Sequence, residues 1–133
     1  MDKVINRRAH YDYHLGDRLE VGMVLSGKQV RLIRDHHAQL KGTYVTIRNR
    51  ELFLLNFTLG SENIVEVKLL ATRRQIKSFI DAKQQGYTIV PVELLPTKRH
   101  INLVIAPAKG KKTYDKRQTI KARDLSREQK THL

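Results

Sequence analysis

Closely spaced cations around one aromatic ring make the run Lys109-Gly110-Lys111-Lys112-Thr113-Tyr114-Asp115-Lys116-Arg117 a surface for a polyanion. From Lys109 to Leu133, nine Lys/Arg stand against three Asp/Glu, a local balance of +6 out of +13 for the whole chain. A segment so cationic and so poor in apolar side chains cannot bury itself, so its favourable partner is a polyanion. Tyr114 adds a flat face on which a nucleobase can stack. The competing reading is a solvated tail that serves solubility alone. An acidic tail would do that equally well without attracting nucleic acid.

Other reactive residue types fall at spacings that do no obvious chemistry. His36 and His37 are adjacent, so their side chains diverge. His10 and His14 lie four apart, but in a stretch that reads as extended, and no acidic or third ligand completes either pair. Gly27, Gly42 and Gly110 form no phosphate-cradling loop ahead of a helix. Asp12, Asp17, Glu20, Glu51 and Glu93 are scattered, most beside a basic neighbour, so no carboxylate pair is poised for acid–base work. With no cysteine in the chain, disulfides, thiolate metal sites and a thiol nucleophile are excluded. The expectation is a binder rather than an enzyme, with no metal and no cofactor.

Composition points the same way. A chain of 133 residues suits one domain of ordinary size plus a tail, and an apolar share of 40% is enough for a modest core. The basic balance, with an isoelectric point near 10.3, favours nucleic acid or an anionic membrane surface as partner. No apolar run approaches the roughly 18 residues of a membrane span. Met1–Arg8 lack the apolar centre of a signal peptide. The protein is therefore expected in the cytoplasm.

These functional residues need a scaffold, and period-two alternation supplies it. Tyr11, Tyr13 and Leu15 alternate with polar residues and read as a strand, and residues 20–25 continue extended or turn into the next element. Ser26 and Gln29 form a capping box at the start of a short helix ending near Asp35-His36-His37. Leu25 and Val30 are placed to close a hydrophobic staple. Val30 and Ile33 share the helix's apolar face, with Leu32 off it. Residues 43–47 read as a strand, Arg48-Asn49-Arg50 as a tight turn, and residues 51–59 as the returning strand. Residues 64–67 suggest another short strand. Thr72 caps a second helix that runs to about Gln85, with Ile76, Phe79 and Ile80 on its apolar face. Gly86 ends it in the left-handed region. Residues 87–95 are a strand in which Pro91 must sit at an edge or a bulge. Pro96–His100 turn the chain and Ile101–Ala106 return antiparallel. The fold class is mainly β: an OB-fold-like antiparallel barrel with about two inserted helices and a basic C-terminal tail. The division expected is a body over residues 1–108 and a tail over residues 109–133.

Taken in order, these segments resemble the SmpB family of SsrA-binding proteins, which partner transfer-messenger RNA in bacterial ribosome rescue. Lys109–Lys112, Tyr114–Arg117, Lys121-Ala122-Arg123-Asp124 and Arg127-Glu128 are similar to the family's GKK-x-[YH]-DKR signature and charged tail. Gly86-Tyr87-Thr88-Ile89-Val90-Pro91 resembles its G-Y-T-L-V-P strand, and Lys68-Leu69-Leu70 its K-L-L-L. Asn6-Arg7-Arg8-Ala9 resembles its opening. Gly27–Arg31 with Ile33-Arg34 occupy the place of G-x-E-V-K and L-R, with Gln29 where the family usually has Glu. Tyr44-Val45 fits its S-Y-V.

The resemblance implies an RNA-binding adaptor for trans-translation. Its barrel would grip the tRNA-like end of transfer-messenger RNA, with Asn6, Arg7, Arg8, Gln29, Arg31 and Leu70 at RNA-contacting positions. Each has a plainer reading: Asn6 as a turn residue, Gln29 as a helix cap, Leu70 as core. The tail would enter the empty mRNA channel of a stalled 70S ribosome and contact small-subunit rRNA at the decoding site. Lys109, Gly110, Lys111, Lys112, Tyr114, Asp115, Lys116, Arg117, Lys121 and Arg123 would carry that contact. Neutralising about six to nine phosphates implies a log–log salt slope on the order of −4 to −8. The tail is expected to be unfolded in isolation and able to become helical beyond Gln118 in the channel. Elongation factor Tu carrying the aminoacylated RNA would be a further partner, and the protein a monomer. The alternative is a structural ribosomal protein with a basic extension buried in rRNA.

Overall fold

Alternation of apolar and polar residues is answered by strands throughout residues 3–60 and 63–110, which the computed structural model describes. In chain order the elements are β1 (Val4–Ile5), α1 (Arg7–Asp12), β2 (Tyr13–Leu15), β3 (Leu19–Met23), α2 (Gly27–Arg34) and β4 (Ala38–Gln39). There follow β5 (Tyr44–Arg48), β6 (Glu51–Leu59), β7 (Asn63–Leu70), α3 (Arg73–Gln84), β8 (Thr88–Pro96) and β9 (Ile101–Gly110). Strands β8, β5, β6, β7, β3 and β9 pair antiparallel in that order, and β9 pairs back to β8. The expected small barrel is therefore closed, by six strands. Closure leaves few free edges to invite other chains.

Inward positions fill the barrel. Leu52, Leu54, Phe57, Ile89, Leu94, Leu103 and Ile105 have no exposed surface. Each such side chain contributes about 1.5–3 kcal/mol by leaving water. The β8–β9 hairpin is apolar on its outer face too, where Val90, Val92, Val104, Ala106 and Ala108 are buried. That second face needs a cover, and the N-terminal segment provides it. β1 adds to one edge of the hairpin through Val4 opposite Leu94, and β2 to the other through Leu15 opposite Ala108. Between them α1 lays Ala9 on Val90 and Ala108, with Tyr13 and Leu15 packed alongside.

Local signals account for the two longer helices. Ser26 Oγ accepts from the Gln29 N–H at 3.2 Å while Gln29 Oε1 accepts from the Ser26 N–H at 2.9 Å. Thr72 and Gln75 repeat the arrangement at the start of α3. In α2, Ile33 is buried, and both Val30 and Leu32 pack against the core. Leu32 thus joins the apolar face from which its spacing excluded it. Phe79 anchors α3, and Gly86 takes φ +90° just beyond it. The register of β8 against β9 shifts between Pro91 and Glu93, so the missing proline N–H falls at a bulge.

The stretch around Tyr11 departs from expectation. Only Tyr13–Leu15 is a strand, and Arg7–Asp12 is helical, giving three helices among the described residues rather than about two. A capping Asn6 and the burial of Ala9 outweigh the alternation of Tyr11 with its neighbours. β7 also extends beyond residues 64–67, and β9 continues past Ala106 to Gly110.

Candidate nucleic-acid interface

Asn6 holds the first candidate surface together from inside. Only 6% exposed, it caps α1 by accepting from the Ala9 N–H through Oδ1 at 3.3 Å. Its Nδ2 donates to the Pro91 carbonyl at 2.8 Å, and its own N–H donates to the Val92 carbonyl at 2.8 Å. Its polar groups face inward, while Arg7 and Arg8 project into solvent from the helix that it starts. Arg8 Nε lies 3.2 Å from Asp12 Oδ2, one turn on. Beside α1 runs a groove of about 310 Å³ lined by Asn6, Arg8, Tyr13, Tyr44 and Val90 among others. Tyr44 is 44% exposed there, an unusual position for so large a ring. A guanidinium and an exposed ring on one groove suit a phosphate and a base, respectively.

Leu70, Gln29 and Arg31 belong elsewhere. Leu70 is 54% exposed, so it is not core. It projects from the end of β7 over Gly22 of β3, where an added Cβ would stand 3.4 Å from its Cδ1. Val24, two residues on, is exposed as well. Together they make a low apolar strip beside Lys68, whose Nζ is 3.2 Å from Glu51 Oε1. Gln29 serves its capping box, and Arg31 is exposed on α2. In the order of barrel strands, the β8–β5 seam beside Asn6 and the β7–β3 seam under Leu70 lie on opposite sides of the closure. Asn6, with Arg7 and Arg8 beside it, and Leu70 thus lie on two surfaces rather than one.

Where the basic segment begins is also fixed. Gly110 pairs with Tyr13, and Lys109 pairs with His14. The start of the segment therefore leaves from the side of the α1 groove. Lys109 Nζ sits 4.6 Å from the centre of the Tyr87 ring, a cation–π contact within the barrel. Lys111, Lys112, Tyr114, Asp115, Lys116, Arg117, Lys121 and Arg123 lie outside the described residues. Among the described residues no three His, Cys, Asp or Glu side chains gather closely enough to hold a metal ion. No helix among them is long and apolar enough to cross a membrane.

Sequence reasoning passed over Tyr13 as a groove residue and took Tyr44 only as part of a strand motif. Tyr44 alternates outward from Val45, which faces the core, and that phase was the available signal. What it borders depends on β8 and α1, which arrive from distant parts of the chain.

A closed, strongly basic β-barrel with cations and exposed rings on its surface defines a class of small nucleic-acid-binding proteins. The particular family follows from comparison with known proteins. The chain belongs to the SmpB protein family, whose profile matches residues 3–133. It is 38% identical over 139 residues to the SsrA-binding protein of Burkholderia vietnamiensis, covering 96% of this chain and 94% of that one. It is 40% identical over 134 residues to the SsrA-binding protein of Ralstonia pickettii, covering 92% and 90%. Against that of Coxiella burnetii it is 40% identical over 135 residues, covering 93% and 85%. The fold is similar to a chain from the solved structure described as "tmRNA-SmpB: a journey to the center of the bacterial ribosome". That likeness has a TM-score of 0.64 at 27% identity over 84% of this chain and 85% of the other.

Proposed function

We propose that this protein is a non-enzymatic adaptor for trans-translation in the cytoplasm. It binds the tRNA-like end of transfer-messenger RNA through its barrel and brings that RNA to a stalled ribosome. One observation carries the reading: the family match runs through residues 3–133, spanning barrel and basic segment together. A rigid barrel suits a folded RNA, whose accessible features are phosphates, 2′-hydroxyls and unstacked loop bases.

Within this reading Arg7, Arg8 and the α1 groove meet one part of the RNA, Leu70 meets another, and Arg31 offers a further cation on α2. Asn6 and Gln29 act by holding α1 and α2 in place. The segment 109–133 occupies the vacated mRNA channel and contacts small-subunit rRNA, with Lys111, Lys112, Lys116 and Arg117 on the backbone and Tyr114 on a base. Elongation factor Tu joins through the aminoacylated RNA, and the protein works as a monomer.

The test is to sequence the RNA that co-purifies with the full-length protein and to measure binding at moderate salt. Enrichment of transfer-messenger RNA is expected, with tighter binding to a tRNA-shaped transcript than to random duplex. Equal binding to both would refute the reading. Stoichiometric co-sedimentation with every ribosome, rather than enrichment on stalled ones, would favour a structural ribosomal protein.

A further inference from the structure

A cleft of about 790 Å³ lies between the β5–β6 turn and α3. We propose that it is a further RNA-binding site on the barrel. It takes a phosphate–ribose segment with one unstacked base from the same transfer-messenger RNA. The inference rests on the proposed function and assigns that RNA a contact beyond Leu70 and the α1 groove.

The volume falls within the roughly 300–1,000 Å³ of small-molecule sites, room for a nucleotide. Arg50, Arg73 and Lys77 line the cleft, and Ile76 and Ile80 give it an apolar wall. Glu51 and Asp81 also line it, but Glu51 is tied to Lys68 at 3.2 Å. The balance remains cationic. Cations beside an apolar wall match a phosphate joined to a base, a combination that neither water nor a simple anion uses fully.

Two of these cations, Arg50 and Arg73, sit where local backbone physics disfavours them. Arg48 pairs with Glu51 across a two-residue turn, in which Asn49 and Arg50 take φ +51° and +61°. Glycine is the favoured second residue of such a turn, because a Cβ is strained there. Arg73 and Arg74 occupy the first turn of α3, which holds no acidic residue, and the helix dipole opposes cations at that end. Local stability does not explain Arg50 and Arg73 so placed, whereas an anionic partner across the two would.

Continuity fixes which RNA enters. Leu69 pairs with Leu52, so the register sets exposed Leu70 beside Glu51, a wall of the cleft. The chain then turns directly into α3. An RNA lying on Leu70 reaches this cleft without crossing the barrel.

Arg50→Gly is the decisive variant, because it removes the cation and relieves the turn at once. In the full-length protein it is expected to raise the melting temperature. Its affinity for a tRNA-like transcript is expected to fall about 3- to 10-fold at ~0.1 M salt, with a salt slope shallower by about 0.7–0.9. Arg73→Gln with Lys77→Gln should flatten the slope by about twice that amount. Lys98→Gln, on the distant β8–β9 turn, should leave both quantities unchanged. Wild-type affinity and slope in the Arg50 and Arg73/Lys77 variants overturn the cleft site alone, and an equal loss in Lys98→Gln overturns it in favour of diffuse charge. Unchanged transcript binding with lost ribosome co-sedimentation places ribosomal RNA in the cleft and also overturns the proposal. A wild-type protein indifferent to the tRNA-like shape sinks this inference and the proposed function together.

Discussion

Asn6 holds the proposed α1 surface in place from inside the fold. Its side chain caps α1 and ties that helix to the Pro91 carbonyl at the β8 bulge. Asn6→Ala removes a cap and orphans a buried acceptor, a combined loss of about 2–4 kcal/mol. A lowered urea midpoint at unchanged m-value checks this. Asn6→Ser keeps a capping oxygen but loses the donor to Pro91, so it should fall between wild type and alanine. RNA binding is expected to fall in step with stability; weaker binding at full stability would make Asn6 a direct contact. Leu70 should behave in the opposite way. Being more than half exposed, Leu70→Ala is expected to leave stability within about 0.5 kcal/mol of wild type. Its RNA affinity should drop about fivefold, the equivalent of about 1 kcal/mol. Gln29→Glu keeps the capping box and puts a negative charge in the first turn of α2, which now has none. Thermal denaturation should show a gain of about 0.3–1 kcal/mol.

At the scale of elements, what was legible in the sequence was what local physics decides. Ser26 with Gln29 announces α2, and the β-branched run from Thr43 to Ile47 announces β5. Pro91 forecasts an edge or a bulge, and Gly86 a helix end. The short pieces were hidden because their stability is borrowed. α1 has six residues, too few to persist alone, and holds only because Asn6 anchors it and Ala9 is buried under the hairpin. β1 has two residues, aligned entirely by β8. For the same reason the placement of Asn6 and Leu70 on opposite sides of the barrel could not be read from their positions in the chain. The junction of barrel and basic segment carries its own consequence. Lys109 already has Tyr87 as partner and is held by β2, unlike a cation on a free chain. Neutralising Lys109 to Gln should therefore flatten the salt dependence of RNA binding by clearly less than the ~0.7–0.9 of a full phosphate contact. An equal effect from Lys109 and Lys116 would mean that the Tyr87 contact opens in the complex.

Across the whole molecule, the charge map and the fold divide the labour. The full chain carries +13, of which the residues from Lys109 onward hold +6. The remaining +7 belongs to residues 1–108, whose two candidate surfaces lie on opposite sides of the closed barrel. In the proposed division the barrel reads the RNA's shape through its surface contacts, while phosphate contacts from the basic segment position a partner without reading its sequence. The basic segment, rooted at Gly110 beside Tyr13, adds charge whose worth depends on a groove of concentrated phosphate. Reversing Lys116 and Arg117 to Glu changes the segment by four charge units and alters no residue of the described barrel. Affinity for the isolated tRNA-like transcript should survive this largely intact. Tagging of nascent chains on stalled ribosomes should be abolished if the segment takes its proposed place, because the reversed charges would repel the rRNA backbone there. Transcript binding and a tagging assay on the same preparation separate the two roles. A collapse of transcript binding would show that the segment grips transfer-messenger RNA itself, and the barrel would then be a support rather than the reader.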